Sequence, residues 1–175
     1  MTVKFEIVSE YKEKDINLPQ RATSGSAGYD IEAAENIIIP SIFREIHKYG
    51  FAVLDLENVK NKIKKSKLRV MVPTGLKVEL DEDMYLAIHP RSGIASNCLL
   101  LLANQTGIID SDYYNNPDNE GHIFIPLINI SPFDIQIKKG DKIAQGIISY
   151  YHKTDIEESY HTIIHRLGGF GSTDK

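Results

Sequence analysis

Apolar residues in this chain recur mostly at every second position, in short runs. Val3–Ser9, Ile37–Ile39, Val70–Val72, Tyr85–His89, Ile123–Asn129, Ile135–Ile137 and Ile143–Tyr151 all read this way. A period of two sends alternate side chains to opposite faces of a strand. Turn formers separate the runs: Pro40, Pro73-Thr-Gly75, Ser131-Pro132 and Lys139-Gly-Asp141. Many short strands at close spacing predict an all-β sandwich or barrel rather than a βαβ fold. A chain of 175 residues is long enough for one such domain to bury a real core. No internal repeat or second domain interrupts the pattern.

One stretch breaks it. In Asp55–Lys67, Leu56, Val59 and Ile63 stand at helical spacing on a polar background. This predicts one surface helix within an insertion at about 43–67. Six basic residues fall between Lys60 and Arg69. They read first as a solvated helix face and second as a patch for an acidic partner.

Composition narrows the function classes. The formal net charge of −4 argues against nucleic acid as the main partner. The single cysteine, Cys98, allows no internal disulfide and fits a reducing compartment. No apolar run approaches the ~20 residues that span a bilayer. The alternating N-terminus lacks the apolar region of a signal peptide. The expectation is a cytoplasmic protein with no membrane contact.

Several familiar chemistries have no support. Nothing matches the G-x-x-x-x-G-K-[ST] phosphate loop or the Gly-x-Ser-x-Gly elbow. His161 and His165 stand four apart, but no third zinc ligand lies nearby in sequence.

Five short segments remain. ATSGSAGYDI (Ala22–Ile31) combines small residues, which permit close backbone approach, with the carboxylate of Asp30. In HPRSGIASN (His89–Asn97), Arg91 offers a fork of donors, Ser92 a hydroxyl and Gly93 an open backbone N–H. These converge on anions if Ser92 begins a short helix. NQTGIIDSDYYNNPDN (Asn104–Asn119) reads as a β-hairpin, Gly107–Tyr113, with acidic groups near its tip. A carboxylate there can take a proton from water, and an aromatic beside it can stack on a base or sugar. KGDKIAQGII (Lys139–Ile148) turns at Gly140-Asp141 into a strand bearing Gln145, whose amide can donate to a phosphate. RLGGFGST (Arg166–Thr173) holds three glycines, two hydroxyls, an arginine and Phe170, able to wrap phosphate oxygens. Each also has a plain reading: a tight turn, a capped helix start, turn chemistry, a structural glutamine, a loose tail.

Taken together and in this order, AGYDI, PRSGIAS, TGIIDSDY, KGDKIAQ and GGFGST resemble the five motifs of the trimeric dUTP pyrophosphatase (dUTPase) family. DSDYYNNPDNEGHIF is similar to its bacterial and phage branch. The resemblance implies a distorted jelly-roll β fold, a homotrimer with sites at subunit junctions, and cleavage of dUTP to dUMP and diphosphate with Mg²⁺. It implies that Asp110 orients or deprotonates the attacking water and bonds the sugar 3′-hydroxyl. Tyr113 would pack on the deoxyribose, and Asn104 with the Gly107–Ile109–Asp110 backbone would read uracil. Arg91, Ser92, Gly93 and Gln145 would hold phosphates, and Asp30 would meet Mg²⁺ through water. Residues 1–165 would form the barrel. Residues 166–175 would form an arm in which Arg166, Gly171, Ser172 and Thr173 bind the terminal phosphate and Phe170 stacks on uracil.

The tail departs from the family pattern in one respect: only Leu167 separates Arg166 from Gly168-Gly169, where two residues are usual. Two rivals share the fold. A dCTP deaminase needs a glutamate in the strand after the third motif, and Pro126 stands there instead. A nucleotide-switched regulatory protein would use the Lys-rich insertion as its partner surface.

Overall fold

The computed structural model describes residues 3–49 and 56–154. Twelve strands and three α-helices occur among them: β1 (Val3–Ile7), β2 (Gln20–Arg21), β3 (Tyr29–Glu32), β4 (Ile37–Ile39), α1 (Ile42–Tyr49), α2 (Leu56–Lys65), β5 (Val70–Pro73), β6 (Leu76–Leu80), β7 (Met84–Pro90), α3 (Ser92–Cys98), β8 (Leu100–Leu102), β9 (Gly107–Asp110), β10 (Phe124–Asn129), β11 (Ile135–Ile137) and β12 (Lys142–Tyr150). The period-two runs account for seven of these strands.

The largest sheet has the order β2-β3-β12-β7-β9. Smaller sheets pair β1 with β6, β5 with β10 and β8, and β11 with β4. All these pairings are antiparallel. The inner face of the large sheet carries Ile31, Leu86, Ile88 and Ile143, which pack with Val72, Leu100, Ile125 and Leu127 from the others. Ile31, Leu86, Val72, Ile125 and Ile143 are fully buried. Each such side chain contributes roughly 1.5–3 kcal/mol by leaving water.

Two expectations need correction. The insertion carries two helices rather than one, because α1 precedes α2. α1 spans only eight residues, too few for a convincing helical period, yet tertiary contacts hold it. Buried Glu45 accepts the Lys67 backbone N–H at 3.2 Å, and Arg44 pairs with Asp134. The hairpin expected at Gly107–Tyr113 is also absent. Gly107–Asp110 is instead an edge strand against β7, and Ser111–Tyr113 form one 3₁₀ turn. Asp110 remains extended (φ −78°, ψ 159°) while Ser111-Asp112-Tyr113 turns the chain away, so the strand has no local partner to return to.

The segment after that turn is tied closely to the body. Lys77, 7% exposed, donates to Glu120 Oε1 at 2.7 Å and to Asn115 Oδ1 at 2.6 Å. Glu120 also accepts the Ser9 backbone N–H. His122 is 5% exposed, and its Nε2 accepts the Gly75 N–H at 2.9 Å. Its ring packs 4.1 Å from that of Phe124 and 5.2 Å from that of Tyr11.

These two groups set a direction for acid stability. Burial lowers the His122 pKa from 6.5 to about 4, so the folded protein holds it neutral. Between those values the unfolded chain binds a proton that the folded chain refuses, and stability falls as pH drops from 6.5 toward 4. The hydrogen bond from Lys77, then that from the Ser9 backbone, lowers Glu120 from 4.5 to about 2. Its contribution is complete above 4.5 and is lost as pH falls toward 2, in the same direction but later. Going from pH 7 to 5 is expected to cost about 2 kcal/mol through His122 alone. Thermal melts across this range check it. His122→Gln keeps an acceptor for Gly75 and is expected to flatten the slope; an unchanged slope would rule His122 out as the source.

Candidate active site

Strand pairing brings three of the five segments together. In the large sheet, Gln145 of β12 stands opposite Asp30 of β3 on one side and His89 of β7 on the other. Directly opposed residues in antiparallel strands share a face. Pro90 ends β7, Arg91 stays extended (φ −80°, ψ 138°), and the chain then enters α3 at Ser92, as the helix-start reading expected. This corner places the Arg91 Nε 2.9 Å from Asp30 Oδ1. A register shift in β12 between Lys142 and Ala144 brings the Lys142 Nζ 2.9 Å from Asp30 Oδ2.

Asp30 is thus held between two cations, with its side chain 11% exposed. Arg91 uses its inner nitrogen for this contact, and among the described residues its two terminal nitrogens make no other bond. Ser92 and Gly93 lie exposed beside it at the start of α3. Gln145 donates one amide N–H to the Pro90 carbonyl at 3.1 Å, leaving the other. Gly28 makes room for this side chain: a Cβ there would meet Gln145 Oε1 at 2.6 Å and its Cβ at 3.2 Å. A cleft of about 250 Å³ opens alongside, lined by Asn17, Leu18, Gln20, Asp30, Glu32 and Lys142. Two cations thus flank one carboxylate beside the exposed start of α3, a chemistry able to clamp an anion.

The third segment lies elsewhere. Asp110 stands opposite Tyr85, near the start of β7, whereas Gln145 faces His89 near its end. Four residues along β7 and three strand spacings across the sheet separate Asp110 from Asp30. At about 3.3 Å per residue and 4.8 Å per strand, that is roughly 20 Å. Gly107 and Ile109 belong to the same edge strand as Asp110, opposite Ile88 and Leu86. Asn104 is exposed in the turn before it. Tyr113 is 5% exposed; its hydroxyl donates to the His122 carbonyl at 3.0 Å and accepts from Asn119 Nδ2 at 2.7 Å.

Arg166, Phe170, Gly171, Ser172 and Thr173 lie outside the described residues, as do His161 and His165. Lys142 and Gly28 escaped the sequence reading. Lys142 lies three residues before Gln145 in the same segment, a signal that could have flagged it.

A family model described as dUTPase matches residues 43–174.

The chain belongs to the dUTPase family. The deoxyuridine 5′-triphosphate nucleotidohydrolase of Lactococcus lactis is 37% identical over 169 residues, covering 97% of this chain and 95% of that protein. The alignment therefore includes the Ala22–Ile31 segment, which precedes the family-model match. The crystal structure of dUTPase from Streptococcus mutans superposes with a TM-score of 0.68 at 31% identity, over 86% of this chain and 98% of that one. The dUTPase of phage phi11 of S. aureus gives a TM-score of 0.63 over 98% of this chain and 99% of that one; at 19% identity it speaks for the fold alone.

The fold is the jelly-roll type of the dUTPases, and the protein is a dUTP diphosphatase that hydrolyses dUTP to dUMP. The deaminase alternative falls with this assignment. Pro126 lies buried in β10 opposite Met71, and Glu120, the nearest acid, is bound by Lys77 and Ser9.

Proposed function

We propose that this dUTPase works as a homotrimer in which Asp110 of one subunit serves the phosphate clamp of another. The observation behind this is the roughly 20 Å between Asp110 and Asp30 within a chain. A general base must come within about 3 Å of the water it activates. That water sits in line with the α-phosphorus, whose oxygens the clamp holds. One chain's own Asp110 is too distant to meet that requirement.

In this mechanism Arg91, Ser92, Gly93 and Gln145 bind the triphosphate, with Lys142 adding positive charge beside them. Asp110 takes the proton of the attacking water, the oxygen bonds the α-phosphorus, and diphosphate leaves. Such a reaction depends on positioning and charge neutralisation, which fits a site richer in donors than in acids. Asn104 and the backbone of Gly107, Ile109 and Asp110 read the uracil edge, and the Tyr113 ring borders the deoxyribose.

The donor set suits Mg²⁺ delivered by the substrate's own phosphates. Both oxygens of Asp30 already accept from cations, so its fit is to a coordinated water rather than to the ion itself. No cluster of three His, Cys, Asp or Glu occurs among the described residues, and Mg²⁺ commonly binds through one or two carboxylates plus phosphate. Bound there, Mg²⁺ would offset the triphosphate's negative charge. Residues 1–165 form the catalytic barrel in this reading, and residues 166–175 an arm that closes over the phosphates through Arg166, Gly171, Ser172 and Thr173, with Phe170 on the uracil. The setting is cytoplasmic; among the described residues no helix is long and apolar enough to cross a membrane.

Subunit mixing tests the shared site. Asp110→Asn and Arg91→Ala trimers are each expected to be nearly inactive. Unfolding and refolding them together in equal amounts creates some sites that draw Asp110 from one subunit type and Arg91 from the other. Random assortment should restore about a quarter of wild-type activity. If the mixture stays as inactive as its components, each chain carries its own complete site.

A further inference from the structure

Tyr113 is fixed at both ends by the loop that follows it. Asn119 Nδ2 donates to the Tyr113 hydroxyl at 2.7 Å, while that hydroxyl donates to the His122 carbonyl at 3.0 Å. At the backbone end, Asn116 Nδ2 donates to the Tyr113 carbonyl at 2.8 Å. The same Asn116 nitrogen lies 2.9 Å from Asn119 Oδ1, and the Gly121 N–H donates to that oxygen at 3.1 Å. Gly121 sits at φ +79°, and a Cβ there would meet the Tyr113 carbonyl oxygen at 2.8 Å. The loop therefore presses its backbone directly onto the tyrosine. Lys77, bonded to Glu120 and Asn115, pins the loop to β6.

We propose that Asn119 is a positioning residue for sugar discrimination, acting through the Tyr113 hydroxyl. This rests on the reading that the Tyr113 ring borders the deoxyribose. With 5% of its surface exposed, Tyr113 has little area to offer a sugar. So narrow a wall excludes a 2′-hydroxyl by where it stands. A ring free to tilt by a few tenths of an ångström would admit UTP while still binding dUTP. Asn119 removes that freedom, because one side chain joins the phenol to the Asn116–Gly121 loop.

The test is a double-mutant cycle read as the ratio of kcat/KM for dUTP to that for UTP. Asn119→Asp keeps the oxygen that Asn116 and Gly121 use but replaces the donor to Tyr113 by a charged acceptor, so the single phenol hydrogen can no longer serve His122 and residue 119 both, and one of the two ties on the hydroxyl is lost. It is expected to lower the ratio about tenfold, mainly through better use of UTP, with the trimer intact. Tyr113→Phe is expected to lower it comparably, and adding Asn119→Asp to Tyr113→Phe to change it no further. An unchanged ratio in a folded Asn119→Asp enzyme overturns the proposal, as does full additivity in the double variant. Tyr113→Ala separates the two levels: if it leaves the ratio unchanged, the ring does not border the sugar, and the underlying reading fails rather than the clamp.

Discussion

Asp110→Asn is expected to bind dUTP with a nearly unchanged KM while kcat falls by about 10²–10⁴, the usual contribution of a positioned general base. Asparagine matches aspartate in shape and can still accept a hydrogen bond from a sugar hydroxyl. It cannot accept a proton from water. Asp110 closes β9 in an extended conformation just before the 3₁₀ turn, so the substitution leaves the backbone undisturbed. Diphosphate release gives kcat, and calorimetric titration with dUTP before turnover gives binding. Turnover near the wild-type rate would remove Asp110 from the base role. Loss of binding together with loss of turnover would make it a binding residue instead.

Arg91→Ala is expected to fail differently, with kcat falling and KM rising, and kcat/KM down by at least about 10²–10³. The substitution removes two terminal donors from the clamp and one of the two cations that hold Asp30. Arg91→Lys restores charge without the planar fork and is expected to recover only a fraction, because a single ammonium cannot bond Asp30 and span two phosphate oxygens at once. Steady-state kinetics on dUTP with both variants checks this. Wild-type kinetics for Arg91→Ala would leave the phosphates to other groups, and full recovery by lysine would reduce the role to charge alone.

Asp30, Arg91 and Gln145 are legible as site candidates only because the five segments, each with a plain reading of its own, resemble the dUTPase motifs when taken in order. Their assembly is not visible. It depends on β12 lying between β3 and β7, a pairing between segments far apart in the chain. Lys142 shows the difficulty most plainly: it reaches Asp30 across 112 positions of sequence, and only because β12 shifts register after it. The strands with clean alternation were readable because one face is buried and the other wet. β9 was not, since Gly107 and the Asp-Ser-Asp run advertise a turn while the true partner is β7. β3 begins within a Gly/Ser-rich stretch that masks its pairing, and α1 is held by Glu45 and Arg44 rather than by helical periodicity.

The opposite corners of the five-stranded sheet have a consequence for how this activity is maintained. On the proposed shared site, a lone chain holds two half-sites and no whole one, which makes catalytic output a property of assembly. Diluted below the concentration at which subunits associate, the protein is expected to lose activity per chain while remaining folded, a loss that assays over a dilution series would record as a falling specific activity. One chain damaged at both corners would silence two of the three sites in any trimer it joined. In a cell expressing both forms, the damaged copy would behave as dominant.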